Sequence, residues 1–250
     1  MTDDGIEPVS ADAPHLPGPV MMNQDWRDLT FVHWAVDPAL VAHRMPRGVR
    51  PDTLDGRTYV GLVPFRLLDA GVGRGPGVPW AGSFLETNVR LYSVDDTGRR
   101  GVVFLSLDTD RAVVVVGARA VFGLPYRWAR MRYDERDGVR TYDARLRRRG
   151  RRPTTHVAVR VGAPRSSTPV DEFVSARWGL HVSWWGRTLY VPNRHEVWPL
   201  HDVEVLALED ELMASVGLGQ LADRPPDHVA FSPGVHTEFG LPHSAARPRR

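Results

Sequence analysis

Ser83 to Val94 reads as a long strand and Gly101 to Leu107 as its return strand, joined by Asp95-Asp96-Thr97-Gly98, which is turn sequence. Tyr126 to Tyr133 and Val139 to Arg147 repeat the arrangement through Asp134-Glu135-Arg136-Asp137-Gly138. Thr58 to Leu67, His156 to Val161, Thr188 to His195, Asp202 to Leu208 and Val235 to Phe239 read as further strands. Strands this closely spaced exclude a regular βαβ alternation. They predict an antiparallel α+β fold, a closed or half-closed β-barrel with a few peripheral helices.

The helices have their own signals. Asp37-Pro38 pairs a cap with a first-turn proline, and Pro46 stops that helix. Thr168-Pro169-Val170-Asp171 starts a second, with Gly179 as its end. Glu209 to Val216 reads as a third. Ala112 to Phe122 is mixed: consecutive valines favour a strand, whereas Ala118 to Phe122 before Gly123 favours a helix closed by glycine. We read it as a short helix. Asp69 to Pro79, rich in glycine, reads as a flexible surface loop. Residues 1–24 are expected to be a disordered leader, Asp25 to Pro242 one domain, and His243 to Arg250 a disordered tail.

Composition removes several chemistries. The chain has no cysteine, so disulfide scaffolds, thiol catalysis and thiolate metal sites are excluded. All 32 basic residues are arginine, so there is no side-chain amine for Schiff-base chemistry or a phosphate-loop lysine. The formal net charge is +2, which gives no general field for nucleic acid. Nothing near the start has the basic, then apolar, pattern of a secretory signal, and no apolar run approaches a membrane span. The expected location is the cytoplasm.

Phe84 to Tyr92 carries the densest chemistry. Alternation puts Phe84, Glu86, Asn88, Arg90 and Tyr92 on one strand face and Leu85, Thr87, Val89 and Leu91 on the other. The apolar face should meet a core. The polar face is either a solvated ladder or the lumen of a barrel, where a carboxylate, an amide and a guanidinium converge on a ligand. Arg66, after Val63-Pro64-Phe65, reaches the same space or the surface. Arg119 sits among apolar neighbours, where its charge needs a partner; a structural salt bridge and a ligand are both open.

Several motifs occur in order: Trp34, Asp52 to Gly56, Val60 to Arg66, Phe84 to Tyr92, Gly101 to Asp108, Ala118-Arg119, Leu124-Pro125-Tyr126 and Trp198-Pro199-Leu200. Together they resemble the YqjF-like family of uncharacterised bacterial proteins, a domain of unknown function. The resemblance runs from about Asn23 to Pro242 and implies kinship with the acetoacetate decarboxylase-like superfamily. That implies an antiparallel barrel or cone of strands with an internal cavity. The decarboxylase places its reactive lysine in a Pro-Lys-Lys pattern downstream of a Gly-Arg-Glu run. Here Arg119 matches the run and Ala120 departs from it, while Tyr126 and Arg127 stand at the lysine places. The resemblance carries the architecture; without an amine it does not carry the mechanism. Glu86 resembles a pocket carboxylate of the superfamily.

Other patterns are weaker. His195-Glu196, His201-Asp202 and His236-Thr237-Glu238 do not by spacing assemble the three or four ligands of a metal site, and no metal or cofactor is expected. Ser83 and Ser106 have no nucleophile-elbow context. The Arg145 to Arg152 cluster lacks interleaved aromatics and reads as a solvated hairpin loop. Three functions follow. The first is a small-molecule-binding barrel whose cavity is lined by Phe65, Arg66, Glu86, Asn88, Arg90, Arg119 and Tyr126. The second is a lysine-independent enzyme acting on a keto acid or enol, with Glu86 as acid or base and Tyr126 as donor to an oxyanion. The last in order is an arginine-mediated nucleic-acid binder. The expected partner is a small-molecule ligand, not nucleic acid or membrane; homo-oligomerisation is left open.

Overall fold

The computed structural model describes residues 5–245. Thirteen strands follow one another: β1 Val20–Val36, β2 Val49–Pro51, β3 Thr58–Val72, β4 Phe84–Asp95, β5 Arg100–Thr109, β6 Tyr126–Arg136 and β7 Val139–Leu146, then β8 Thr154–Arg165, β9 Gly179–Trp184, β10 Arg187–His195, β11 Leu200–Asp210, β12 His228–Gly240 and β13 His243–Ser244. The helices are α1 Pro38–Ala42, α2 Ala112–Phe122, α3 Pro169–Ser175 and α4 Leu212–Ser215. The strands form one sheet in the order β13-β10-β9-β5-β6-β7-β8-β11-β12-β1-β3-β4-β2, with β10–β12 and β5–β4 also paired. The strand-rich, helix-poor α+β architecture is therefore present. Pairing is antiparallel except that β5 runs parallel to β6 and to β9, which corrects the all-antiparallel expectation. The cause of the first is α2, a crossover that returns the chain to the start of its neighbour.

The helix starts follow the sequence. Asp37 caps α1, accepting from Ala39 N, and Thr168 and Asp171 form a reciprocal capping box on α3. Gly123 closes α2 at φ 64°, a left-handed position that glycine adopts freely. Other boundaries differ. α3 stops at Ser175, and Gly179 opens β9 instead of ending a helix. β11 runs on to Asp210, which leaves only Leu212–Ser215 helical.

The largest departure is at the start. The expected domain boundary at residue 24 falls inside β1, a 17-residue strand pairing with both β3 and β12. Ahead of it Leu16 is buried, and Trp178 Nε1 donates to Ser10 O. The loop after Asp69 is also braced: β3 continues to Val72, Gly71 bridges Gly77, and Asn23 Nδ2 donates to Gly73 O and Gly75 O. At the other end His243 and Ser244 pair with β10; residues 246–250 of the expected tail lie outside the described residues.

Three buried clusters flank β4. Val89 and Leu91 join Val32, Trp34, Leu62 and Met213, as expected of the apolar face. Phe84 joins Leu29, Phe31, Phe65 and Trp198, while Tyr92 joins Tyr59, Phe173 and Leu180. The polar row Glu86, Asn88 and Arg90 runs along the strand between these last two clusters.

Candidate functional site

That polar row faces a cavity of about 510 Å³. Its wall is mainly apolar, with Trp26, Phe65, Phe84, Phe104, Leu107, Val114, Phe122 and Phe239 among its residues, and Glu86, Asn88, Arg90, Tyr126 and Gln24 as its polar members. The ladder register assembles it. Phe65 lies opposite Glu86 and Gly61 opposite Arg90 across β3–β4. Asn88, Leu107 and Tyr126 are register partners across β4, β5 and β6. The Tyr126 hydroxyl thus reaches over β5 and donates to Glu86 Oε2 at 2.8 Å, while Asn88 Nδ2 donates to Glu86 Oε1 at 3.3 Å.

Glu86 and Asn88 are each 3% exposed, so the solvated-ladder reading of this face does not hold. Burial pushes the Glu86 carboxyl up to about 7, with the Asp108 charge adding and the bonds from Tyr126 and Asn88 opposing. Burial, and then Glu86 itself, hold the Tyr126 hydroxyl well above the usual phenol range, so it stays a donor. Among the described residues Asn88 Oδ1 and Trp26 Nε1 are buried without a hydrogen-bond partner. Both residues line the cavity, and buried polar atoms are normally hydrogen-bonded.

Arg90 is held from behind. Its Nε donates to the Tyr92 hydroxyl at 2.9 Å and its Nη2 to Val174 O at 3.0 Å. The guanidinium lies over the Phe31 ring, 5.5 Å from the centroid.

Two expected residues are elsewhere. Arg66 alternates with Phe65 and so leaves on the opposite face of β3, where its Nη1 donates to Asp28 and its guanidinium covers the Tyr133 ring. Arg119 is exposed on α2; the helix turns Val114, Ala118 and Phe122 to the cavity and Arg119 away from it. The charge among apolar neighbours in sequence is therefore exposed in space. Arg127, beside Tyr126, also points away and forms a bidentate pair with the buried Asp108. The Arg145 to Arg152 cluster lies on the end of β7 and the following loop, where Arg151 pairs with Glu211 and Arg147 covers the Trp128 ring. Glu238, read with His236, is taken by Arg74 and Arg194. Among the described residues no group of three or more His, Asp or Glu side chains could hold a metal ion, and no helix is long and apolar enough to cross a membrane.

The sequence reading missed Trp26 and Gln24, which line the cavity from β1, and His33, which sits behind Arg90. Phe31-Val32-His33-Trp34 is an apolar run holding one histidine, with no alternation of polar and apolar residues to read.

Solved structures show where this fold occurs. The enduracididine biosynthesis enzyme MppR complexed with pyruvate superposes with a TM-score of 0.62 at 16% identity, covering 92% of each chain. An acetoacetate decarboxylase-like enzyme from Sphingomonas wittichii gives 0.61 at 15% identity, covering 91% of this chain and 93% of that one. The acetoacetate decarboxylase of Legionella pneumophila gives 0.58 at 12%, covering 92% of each. The chain thus has the acetoacetate decarboxylase-like fold. In sequence, the uncharacterized protein YqjF of Bacillus subtilis is 30% identical over 187 residues, 74% of this chain and 76% of that one. The family described as an uncharacterized conserved protein, DUF2071, matches residues 23–236, and the chain is a member of it.

Proposed function

We propose that this protein binds a small organic acid or carbonyl compound with an apolar body, in a cavity that the sheet encloses as a barrel. The β4–β5 and β10–β12 pairings, which return the strand order on itself, support the barrel reading. The observation that carries the binding reading is the buried Glu86–Tyr126–Asn88 set on an otherwise apolar wall, one rung from a guanidinium. Apolar cavities with a few convergent polar groups are the usual form of small-molecule sites. Arg90 recognises an anion, Asn88 Oδ1 accepts from a hydroxyl or amide, and the hydrocarbon wall takes the remainder. Among the proteins with this fold, one was solved with pyruvate bound. The chain has no lysine, so its own chemistry on such a ligand does not pass through a side-chain Schiff base.

A second reading rests on the raised Glu86 carboxyl. An acid poised near neutral pH, hydrogen-bonded to a phenol that stays protonated, can take and return a proton at a carbon beside a carbonyl. Glu86 is then the base and Tyr126 the donor.

Native mass spectrometry of the gently purified chain, followed by titration with octanoate and with pyruvate, tests the binding reading. Retained small molecules or saturable one-to-one binding is the expected result. An empty protein that binds neither probe overturns it.

A further inference from the structure

Behind Arg90 lies a row of hydrogen bonds that the ligand reading does not use. Arg90 Nε donates to the Tyr92 hydroxyl at 2.9 Å. The Tyr92 hydroxyl is 2.6 Å from His33 Nε2, His33 Nδ1 is 3.1 Å from His228 Nδ1, and His228 Nε2 is 2.8 Å from Asp171 Oδ1. Asp171 is bound in turn by Arg165 and by Thr168 of the α3 capping box. The row crosses from the cavity wall on β4, through β1 and β12, to the first turn of α3.

With both rings neutral, the Asp171 end fixes every hydrogen in it. A carboxylate only accepts and a guanidinium only donates, so the Tyr92 oxygen accepts from Arg90 and gives its own proton to His33 Nε2. His33 then carries its proton on Nδ1, which it donates to His228 Nδ1. His228 carries its proton on Nε2, which goes to the Asp171 carboxylate. Asp171 closes the row because bonds from His228, Arg165 and Thr168 outweigh its burial and hold it ionised, well below the usual carboxylate range. Each imidazole then has one defined tautomer. Burial keeps His33 neutral, with His228 and Arg90 adding to it and Asp171 opposing.

A second proton on His228 would reverse the row. Its Nδ1 would then donate, and His33 would have to switch tautomer and donate from Nε2. The Tyr92 oxygen would then accept from both His33 and Arg90, and its own proton would have to turn elsewhere. The groups around the pair are the Tyr92 hydroxyl, the Arg90 and Arg177 guanidinia against the Tyr92 ring, the Tyr59 ring, Asp171 and, beyond it, Arg165.

We propose that His33 and His228 are positioning residues for Arg90: through Tyr92 they hold its guanidinium at the cavity wall. The proposal rests on the cavity reading for its purpose, yet it can be tested without any ligand. Nitrogen-detected NMR of the full chain reads the histidine tautomers and the solvent exchange of the Arg90 Nε–H. At pH 7.5 the expected result is His33 protonated on Nδ1, His228 on Nε2, and an Arg90 Nε–H whose exchange is slowed at least tenfold relative to exposed arginines. Tyr92→Phe keeps the packed ring and removes the link, so it should erase that protection; His33→Phe should do the same. The histidine tautomers and the Arg90 protection are read in the wild-type protein itself, which keeps the test decisive where a variant fails to fold. The opposite tautomers or an unprotected Arg90 Nε–H in the wild-type protein, or protection unchanged in Tyr92→Phe, would overturn the proposal. Octanoate binding is measured in parallel. If the wild-type chain fails to bind it while the NMR results hold, the cavity reading falls and the positioning role stands.

Discussion

The Tyr126 hydroxyl donates to Glu86 Oε2 across 2.8 Å, joining residues 40 apart in sequence on strands that β5 separates. Glu86 is almost fully enclosed, and its carboxyl titrates at about 7 in the fold against an ordinary value of 4.5. A raised carboxyl means that the folded chain holds a proton which the unfolded chain has released between those two values. Stability therefore falls as pH rises from about 4.5 to 7, and the loss is complete above the folded value. The shift corresponds to about 3 kcal/mol as an order of magnitude. Glu86→Gln removes the titration and should flatten that limb. Urea unfolding of both proteins from pH 4 to 8 measures it; parallel curves would show that Glu86 is not the group responsible. Tyr126→Phe removes a bond that favours the carboxylate, so it should raise the Glu86 pKa further, read by carbon NMR of the Glu86 carboxyl.

Two arginines that look alike in sequence should behave differently. Arg90 lines the cavity, whereas Arg119 lies on the exposed side of α2. Arg90→Ala should weaken octanoate binding by about tenfold or more, the scale of a lost charge-assisted hydrogen bond. Arg119→Ala should leave it within about twofold, since an exposed charge acts on the cavity only through solvent. Ala118→Trp, one residue away but facing inward, should block binding by filling the space. Calorimetric titration separates the three. Equal losses in Arg90→Ala and Arg119→Ala would mean that the ligand sits on the surface of α2 instead.

The contrast shows what the sequence could and could not disclose. Period-two alternation on β4 was legible and placed Glu86, Asn88 and Arg90 on one face, because a strand allows no other geometry. What that face looks at depends on strands far away in sequence, and alternation is silent about them. Arg66 was misplaced by ignoring its own parity with Phe65. Arg119 was misplaced because apolar neighbours along a helix do not surround a residue in space: Val114 and Ala118 turn to the cavity and Arg119 does not. β1 went unread for a different reason. Asn23 to Asp28 is polar apart from Trp26, Asp28 adopts φ 50°, and the β1–β3 register slips between Arg27 and Val32, so the pattern changes phase inside one strand. His33 and Trp26 were lost with it.

The residue beside Tyr126 carries a structural prediction. Arg127 binds Asp108 through both its Nε and its Nη2, the second at 2.7 Å, and Asp108 has no exposed side-chain surface. Arg127→Met leaves that carboxylate buried without its cation and should cost about 3–5 kcal/mol. Replacing both members, as in Asp108→Leu with Arg127→Met, should recover much of the loss, because two apolar side chains leave no charge behind. Chemical denaturation of the single and double variants measures it. A double variant as unstable as the single one would mean that the pair contributes net attraction.

Gly61 supplies the remaining test of how Arg90 is held. It sits opposite His33 across β1–β3 and opposite Arg90 across β3–β4. A methyl group there would come within 2.9 Å of His33 Nε2, the atom facing the Tyr92 hydroxyl, and within 3.3 Å of Arg90 Cγ. The His33 ring is completely buried, and close-packed interiors leave little room for a ring to retreat into. Gly61→Ala should therefore cost about 1–3 kcal/mol by overpacking and displace His33 from Tyr92. Gly117→Ala is the control. It lies in α2 with open space around the added carbon, so it should be neutral or stabilising by up to about 1 kcal/mol. Thermal unfolding gives the stabilities, and octanoate titration gives the consequence for the cavity. If the His33 ring depends on that missing side chain, binding drops in Gly61→Ala and is unchanged in Gly117→Ala. Equal binding in the two variants would separate the ring from the guanidinium it backs.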